Sequence, residues 1–71
     1  MQLDKQTMTS YFLFLDELRK SGKINMYASP SYIAEGFHIP IEDAKKIFMK
    51  WNETFTEEPA FVRATRAVGE I

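Results

Sequence analysis

The stretch Ile33–Phe55, IAEGFHIPIEDAKKIFMKWNETF, decides the reading of this chain, because two apolar periodicities meet in it across the short break His38-Ile39-Pro40. At about 100° per residue, Ile41, Ala44, Ile47, Phe48, Trp51 and Phe55 fall on one side of a helix, and Glu42, Lys46, Met49, Lys50 and Glu53 fall on the other. Glu42 and Asp43 in the first turn suit the positive end of the helix dipole. The pattern predicts a helix over Ile41–Phe55. Upstream, Ser29-Pro30 is a favourable helix entry, with the serine hydroxyl as N-cap acceptor and proline at the first helical position. Ile33 and Phe37 then share a face at i, i+4 spacing, which predicts a helix over Pro30–Phe37. Gly36 weakens that segment by up to about 1 kcal/mol, so packing rather than propensity must hold it.

Working outward, Met8, Tyr11, Phe14, Leu15 and Leu18 share one side of a helix over Asp4–Ser21, with Phe12 at its margin and Asp16, Glu17 and Lys20 opposite. Arg19 and Lys20 in the last turn and Gly22 beyond it form a helix stop. A strand over SYFLFL is the weaker reading, because five consecutive apolar residues do not alternate and no second strand is available to pair. Leu13 lies opposite the core face, as a tolerated exposed leucine or as an interface contact. Residues 23–28, KINMYA, read as an ordered loop that drops Ile24, Met26 and Tyr27 onto the core, with the Asn25 side chain bonded to nearby backbone. Downstream, Thr56 as cap, Glu57 and Glu58 in the first turn, and Pro59 predict a short helix to Val68 ended by Gly69. Its apolar positions, Phe61, Ala64 and Val68, make a thin face expected to fray or dock weakly. The expected fold is all-α and one domain over residues 1–71: a three-helix core with a short fourth helix. Its core is expected to contain Tyr11, Phe14, Leu15, Leu18, Ile33, Phe37, Ile39, Ala44, Ile47, Phe48, Trp51 and Phe55.

Composition narrows the function. With 45% hydrophobic and 14% aromatic residues the chain is too apolar for disorder. At 71 residues it buries only roughly 60% of the surface its unfolded form exposes, so a partner or self-association would add needed stability. Nine Lys plus Arg against ten Asp plus Glu give a net charge of −1, which excludes a global field toward nucleic acid or anionic membrane. The absence of cysteine removes disulfides and thiolate metal sites and suits a reducing cytoplasm. The longest apolar run, Tyr11–Leu15, is too short for a membrane span or a secretory signal. A cytoplasmic, membrane-independent protein is expected. His38 is the single histidine, no base–nucleophile signature surrounds a serine, and no glycine-rich phosphate loop is present. The chain is therefore expected to be non-enzymatic, with no cofactor and no metal.

Ile33, Phe37, Ile39, Ala44 and Ile47, with the small Ala34, stand where helix-turn-helix units place their apolar and small residues. The segment resembles that family over about a quarter of the chain; at the turn, where the family usually has glycine, stands His38, a residue type enriched at positive φ. The resemblance implies that the outer face of the Ile41–Phe55 helix is a recognition surface, with Glu42, Lys45, Lys46, Met49 and Lys50 as candidate DNA contacts. That face is mixed in sign, with acids where phosphate or base-edge donors are expected. Leu13 and Met49 are the candidate residues of a protein interface. Leu15, Leu18, Ser21, Gly22, Asn25, Met26, Tyr27, Tyr32, Phe37, Ala44, Trp51 and Phe55 give Tyr11–Phe55 a further similarity, to small uncharacterised bacteriophage and prophage proteins. It implies a phage-type accessory protein in a bacterial host cytoplasm, and no activity. The favoured function is protein–protein interaction or self-association, as a homodimer, with DNA binding the alternative.

Overall fold

The first helix starts where the sequence supplies an acceptor. Asp4 is extended and its carboxylate accepts the Thr7 amide at 2.7 Å, so α1 runs over Lys5–Ser21. Gly22 closes it at φ 63°, a left-handed conformation that its missing Cβ permits, and its amide returns to the Arg19 carbonyl. A single 3-10 turn, Met26–Ala28, follows, capped as expected by the Asn25 side chain, which accepts the Tyr27 amide at 2.9 Å. Then come α2 (Ser29–Phe37), α3 (Ile41–Thr54) and α4 (Ala60–Glu70). The structure, a computed structural model, describes residues 4–70, the side chain of Glu70 excepted. Every regular element among the described residues is helical, so the fold is all-α.

The turn between α2 and α3 has the expected form. His38 sits at φ 57°, ψ 49°, and the amides of His38 and Ile39 both reach the Ala34 carbonyl, the latter at 3.1 Å. This reverses the chain so that α2 packs on α3, while α1 lies against α4 and also touches α2 and α3. The molecule measures 29 × 27 × 17 Å, and its thinnest dimension is two helix layers deep.

The core forms where these layers meet. Met8, Phe12, Leu15, Ile33, Ala44 and Ile47 are fully buried, Tyr11 and Trp51 nearly so. Phe14, Leu18, Phe37, Ile39, Phe48 and Phe55 pack against them half-buried. Aromatic edges join the layers: Phe37 of α2 meets Tyr11 at 4.5 Å and Phe14 at 5.4 Å between ring centroids.

Several expectations are corrected. Phe12 is in the centre of the core rather than at its margin, because α4 covers the side of α1 that a three-helix core would leave open. The fourth helix docks firmly, through Ala60, Ala64 and Ala67 at the seam, small residues that let two helix backbones approach closely. Phe61 points outward rather than inward. Gly69 does not stop α4, which runs through it to Glu70. Thr56 caps no helix: its hydroxyl takes the Glu58 amide at 3.1 Å, and α4 begins later, where the Pro59 carbonyl accepts the amides of Val62 and Arg63. Ser29 is the first residue of α2 rather than its N-cap; its hydroxyl is buried without a hydrogen-bond partner among the described residues. Tyr27 is exposed rather than dropped onto the core.

Candidate functional site

The most highly organised polar group lies where α1, α3 and α4 converge. Asp16 stands one helical turn after Phe12 on the α4-facing side of α1, so its carboxylate meets Arg63 of α4 in a two-pronged ion pair. The Arg63 Nε–H also donates to the Glu58 carbonyl at 3.0 Å, and the Trp51 Nε1–H donates to Asp16 Oδ1 at 2.9 Å. The guanidinium lies 5.2 Å from the Phe55 ring centroid and 6.0 Å from that of Phe12. Asp16, expected on the solvent face, is thus the joint between three helices, and buried Arg63 its counterion. Neither stands out as a site residue in the sequence, although the i, i+4 spacing of Phe12 and Asp16 places both on one stripe. With every prong of Arg63 engaged, the cluster is structural rather than reactive.

Beside it, two open grooves flank Arg19. One, of about 380 Å³, runs between α1 and the α3–α4 connection and is lined by Leu13, Lys20, Glu57, Pro59 and Ala60 together with the Asp16 cluster. The other, of about 370 Å³, lies between the 3-10 turn and the C-terminal half of α3. Farther along the α1–α4 seam, Phe61 stands over Lys5, Gln6, Thr9 and Ser10. Leu13 follows Thr9 by one turn on the same α1 stripe, so Leu13 and Phe61, 53% and 57% exposed, flank one side of the seam.

The candidate DNA-contact residues lie together on the outer face of α3. Glu42, Lys45, Lys46 and Met49 are exposed there, while Lys50 is half-buried with its ammonium 3.8 Å from Glu53. Met49 is exposed like Leu13 but lies on α3, whereas Leu13 lies on α1.

Among the described residues, local electrostatics shift three groups. The Thr7 amide holds the Asp4 carboxyl below its ordinary value, and hydrogen bonds from Arg66 and then Thr56 do the same for Glu58. Burial, then the charge of Asp43, raises the Tyr11 phenol. Among the described residues no three His, Cys, Asp or Glu side chains gather to hold a metal ion, and no helix is long and apolar enough to cross a membrane. His38 is exposed at the α2–α3 turn. Compared with protein-family models, curated proteins and solved structures, the chain matches none.

Proposed function

We propose that this chain is a non-enzymatic accessory module, of phage type, that acts by self-association or protein–protein interaction through the Leu13–Phe61 side of the α1–α4 seam. The observation that carries the reading is the placement of these two large apolar side chains, both more than half exposed, beside one helix seam. A small chain gains stability by covering such a surface, and a two-fold contact between copies would place each Leu13 and Phe61 opposite the same patch of the other. Sedimentation equilibrium tests the self-associating form. The expected result is a mass that rises with concentration in the native chain and stays monomeric in Leu13→Glu and Phe61→Glu, with helical content unchanged. A native chain that is monomeric throughout removes self-association.

A second reading, helix-turn-helix binding of DNA, is favoured by the His38 turn and by Lys45 and Lys46 exposed on one face of α3. Glu42 on the same face and Glu53 beside Lys50 weaken the attraction to phosphate. DNA binding predicts affinity for duplex that falls steeply with salt and drops in Lys45→Ala and Lys46→Ala. No binding to random duplex at low salt sets it aside.

A further inference from the structure

The groove between the 3-10 turn and α3 carries chemistry that the α1–α4 seam lacks. Tyr27, 85% exposed, is an aromatic ring presented by an ordered turn, because Asn25 accepts the Tyr27 amide through its side chain and the Ala28 amide through its carbonyl. The Tyr27 ring stands edge-on to Phe48 at 6.2 Å, Phe48 stacks on Trp51 at 6.1 Å, and Trp51 meets Phe55 at 5.2 Å. Four rings in series thus line a shallow trough. Arg19 lies at its end with the guanidinium 4.6 Å from the Phe55 centroid, and Asn52 completes the lining. Arg19 is the one charged residue lining this groove. Among the described residues no side chain or carbonyl accepts a hydrogen bond from its guanidinium. The acids Glu57 and Glu58 line the neighbouring groove, where Glu58 is paired with Arg66 and Asp16 with Arg63.

We propose that this groove docks an extended segment of a partner protein that sets a proline ring beside a carboxylate. Charge complementarity selects the carboxylate, because Arg19 is fixed by its stack on Phe55 while its fork of donors remains open. Entropy selects the proline. A shallow groove covers little apolar area, whereas ordering a flexible segment costs about 1–2 kcal/mol per backbone residue. A polyproline II segment arrives already extended, with its carbonyls unbonded, and aromatic-lined grooves suit it. The Asn52 amide supplies both a donor and an acceptor for that backbone. Single-stranded nucleic acid would also stack on these rings, but one cation on a chain of net charge −1 offers phosphates little. The proposal rests on the reading of the chain as a protein-binding module and uses a surface separate from Leu13 and Phe61.

The test titrates the isotope-labelled native chain of 71 residues with the synthetic peptide PPDPPDP, with its PPKPPKP counterpart and with oligothymidylate, followed by NMR. The PPDPPDP peptide is expected to shift the Trp51 indole N–H, the Asn52 side-chain amide and the Tyr27 backbone amide, with a dissociation constant on the order of 0.1 mM. Charge reversal in PPKPPKP, Arg19→Gln and Tyr27→Ala are each expected to weaken binding at least about tenfold while distant resonances stay in place. The same titration of Leu13→Glu is expected to be unchanged, which separates this groove from the self-association surface. No shifts at millimolar PPDPPDP, equal binding of PPKPPKP, or tighter binding of oligothymidylate with a steep salt dependence overturns the proposal.

Discussion

Replacing Arg63 with methionine probes the joint on which three helices converge. The Arg63 side chain is 3% exposed and that of Asp16 17%. Arg63→Met removes both prongs of the ion pair and the bond to the Glu58 carbonyl, leaving Asp16 with the Trp51 indole alone. Breaking one side of a buried pair costs about 3–5 kcal/mol, and the partial access of water to Asp16 places this case near the lower end. Asp16→Leu is expected to cost as much, because the guanidinium keeps the Glu58 carbonyl as its one hydrogen-bond acceptor among the described residues. The double variant Asp16→Leu/Arg63→Met exchanges both charges for apolar groups; it leaves the Trp51 N–H without an acceptor, a loss of about 1–3 kcal/mol, and the carbonyl of exposed Glu58 to water in place of Arg63. The double variant is therefore expected to be no less stable than either single variant, with a coupling energy of several kcal/mol. Urea unfolding followed by far-UV circular dichroism measures this without relying on Trp51, whose environment the variants alter. For a chain of this length, about 0.05–0.15 kcal/mol of stability per residue gives about 4–11 kcal/mol, so at the lower end of that range either single change leaves a sizeable unfolded fraction at zero denaturant. Stabilities that add within about 0.5 kcal/mol, or single losses below about 1 kcal/mol, would show that the cluster behaves as an exposed ion pair and would refute the argument.

Gly36→Ala is expected to stabilise by about 0.5–1 kcal/mol, since its Cβ would meet only Phe14 Cζ at 3.9 Å within a helix; Gly22→Ala is expected to destabilise by about 1 kcal/mol through its left-handed φ of 63° alone. Unfolding midpoints in urea check both signs. Ser29→Ala is expected to be neutral or stabilising in the same assay, because its buried hydroxyl has no partner among the described residues; a loss near 1 kcal/mol would mean that it caps α2 after all. Stability is expected to fall at both ends of the pH range. Asp4 and Glu58, held below their ordinary 3.8 and 4.5, contribute stability above those values that is lost as pH drops through their folded ones. Tyr11, raised above its ordinary 10.0, contributes below that value and loses it as pH rises through its folded one. Thermal midpoints that stay level between about pH 5 and 2, or between about pH 9 and 12, contradict the respective limb.

How much of this was legible in the chain differs from helix to helix. The third helix was readable because its large apolar residues repeat at one period and its acids sit at one end. His38 was readable as a turn because few other residues tolerate its backbone geometry. The first helix was half readable: Tyr11, Phe14 and Leu15 point to α2 and the core, but Phe12 and Asp16 point to α4, and a stripe holding a carboxylate reads as solvent-facing when a helix is considered alone. The exposed groove has the same history. Tyr27 reads as core material by its type, and only the 3-10 turn set by Asn25 shows that it faces outward.

The fourth helix reads as weakly docked in the sequence for a physical reason. Its inward face consists of Ala60, Arg63, Ala64 and Ala67, three small side chains and a cation, which on any scale of residue hydrophobicity amounts to a weak stripe. Its attachment comes instead from close approach and from one charge whose partner lies 47 residues away on α1. A pairing of that kind has no local period, so only the tertiary contact reveals it. The same pairing places α4 within the core rather than beside it: without it, Phe12 would lose its cover and Asp16 its counterion. Leu13 and Phe61 remain exposed with α4 fully docked, so their exposure belongs to the folded chain and is not the product of a frayed end.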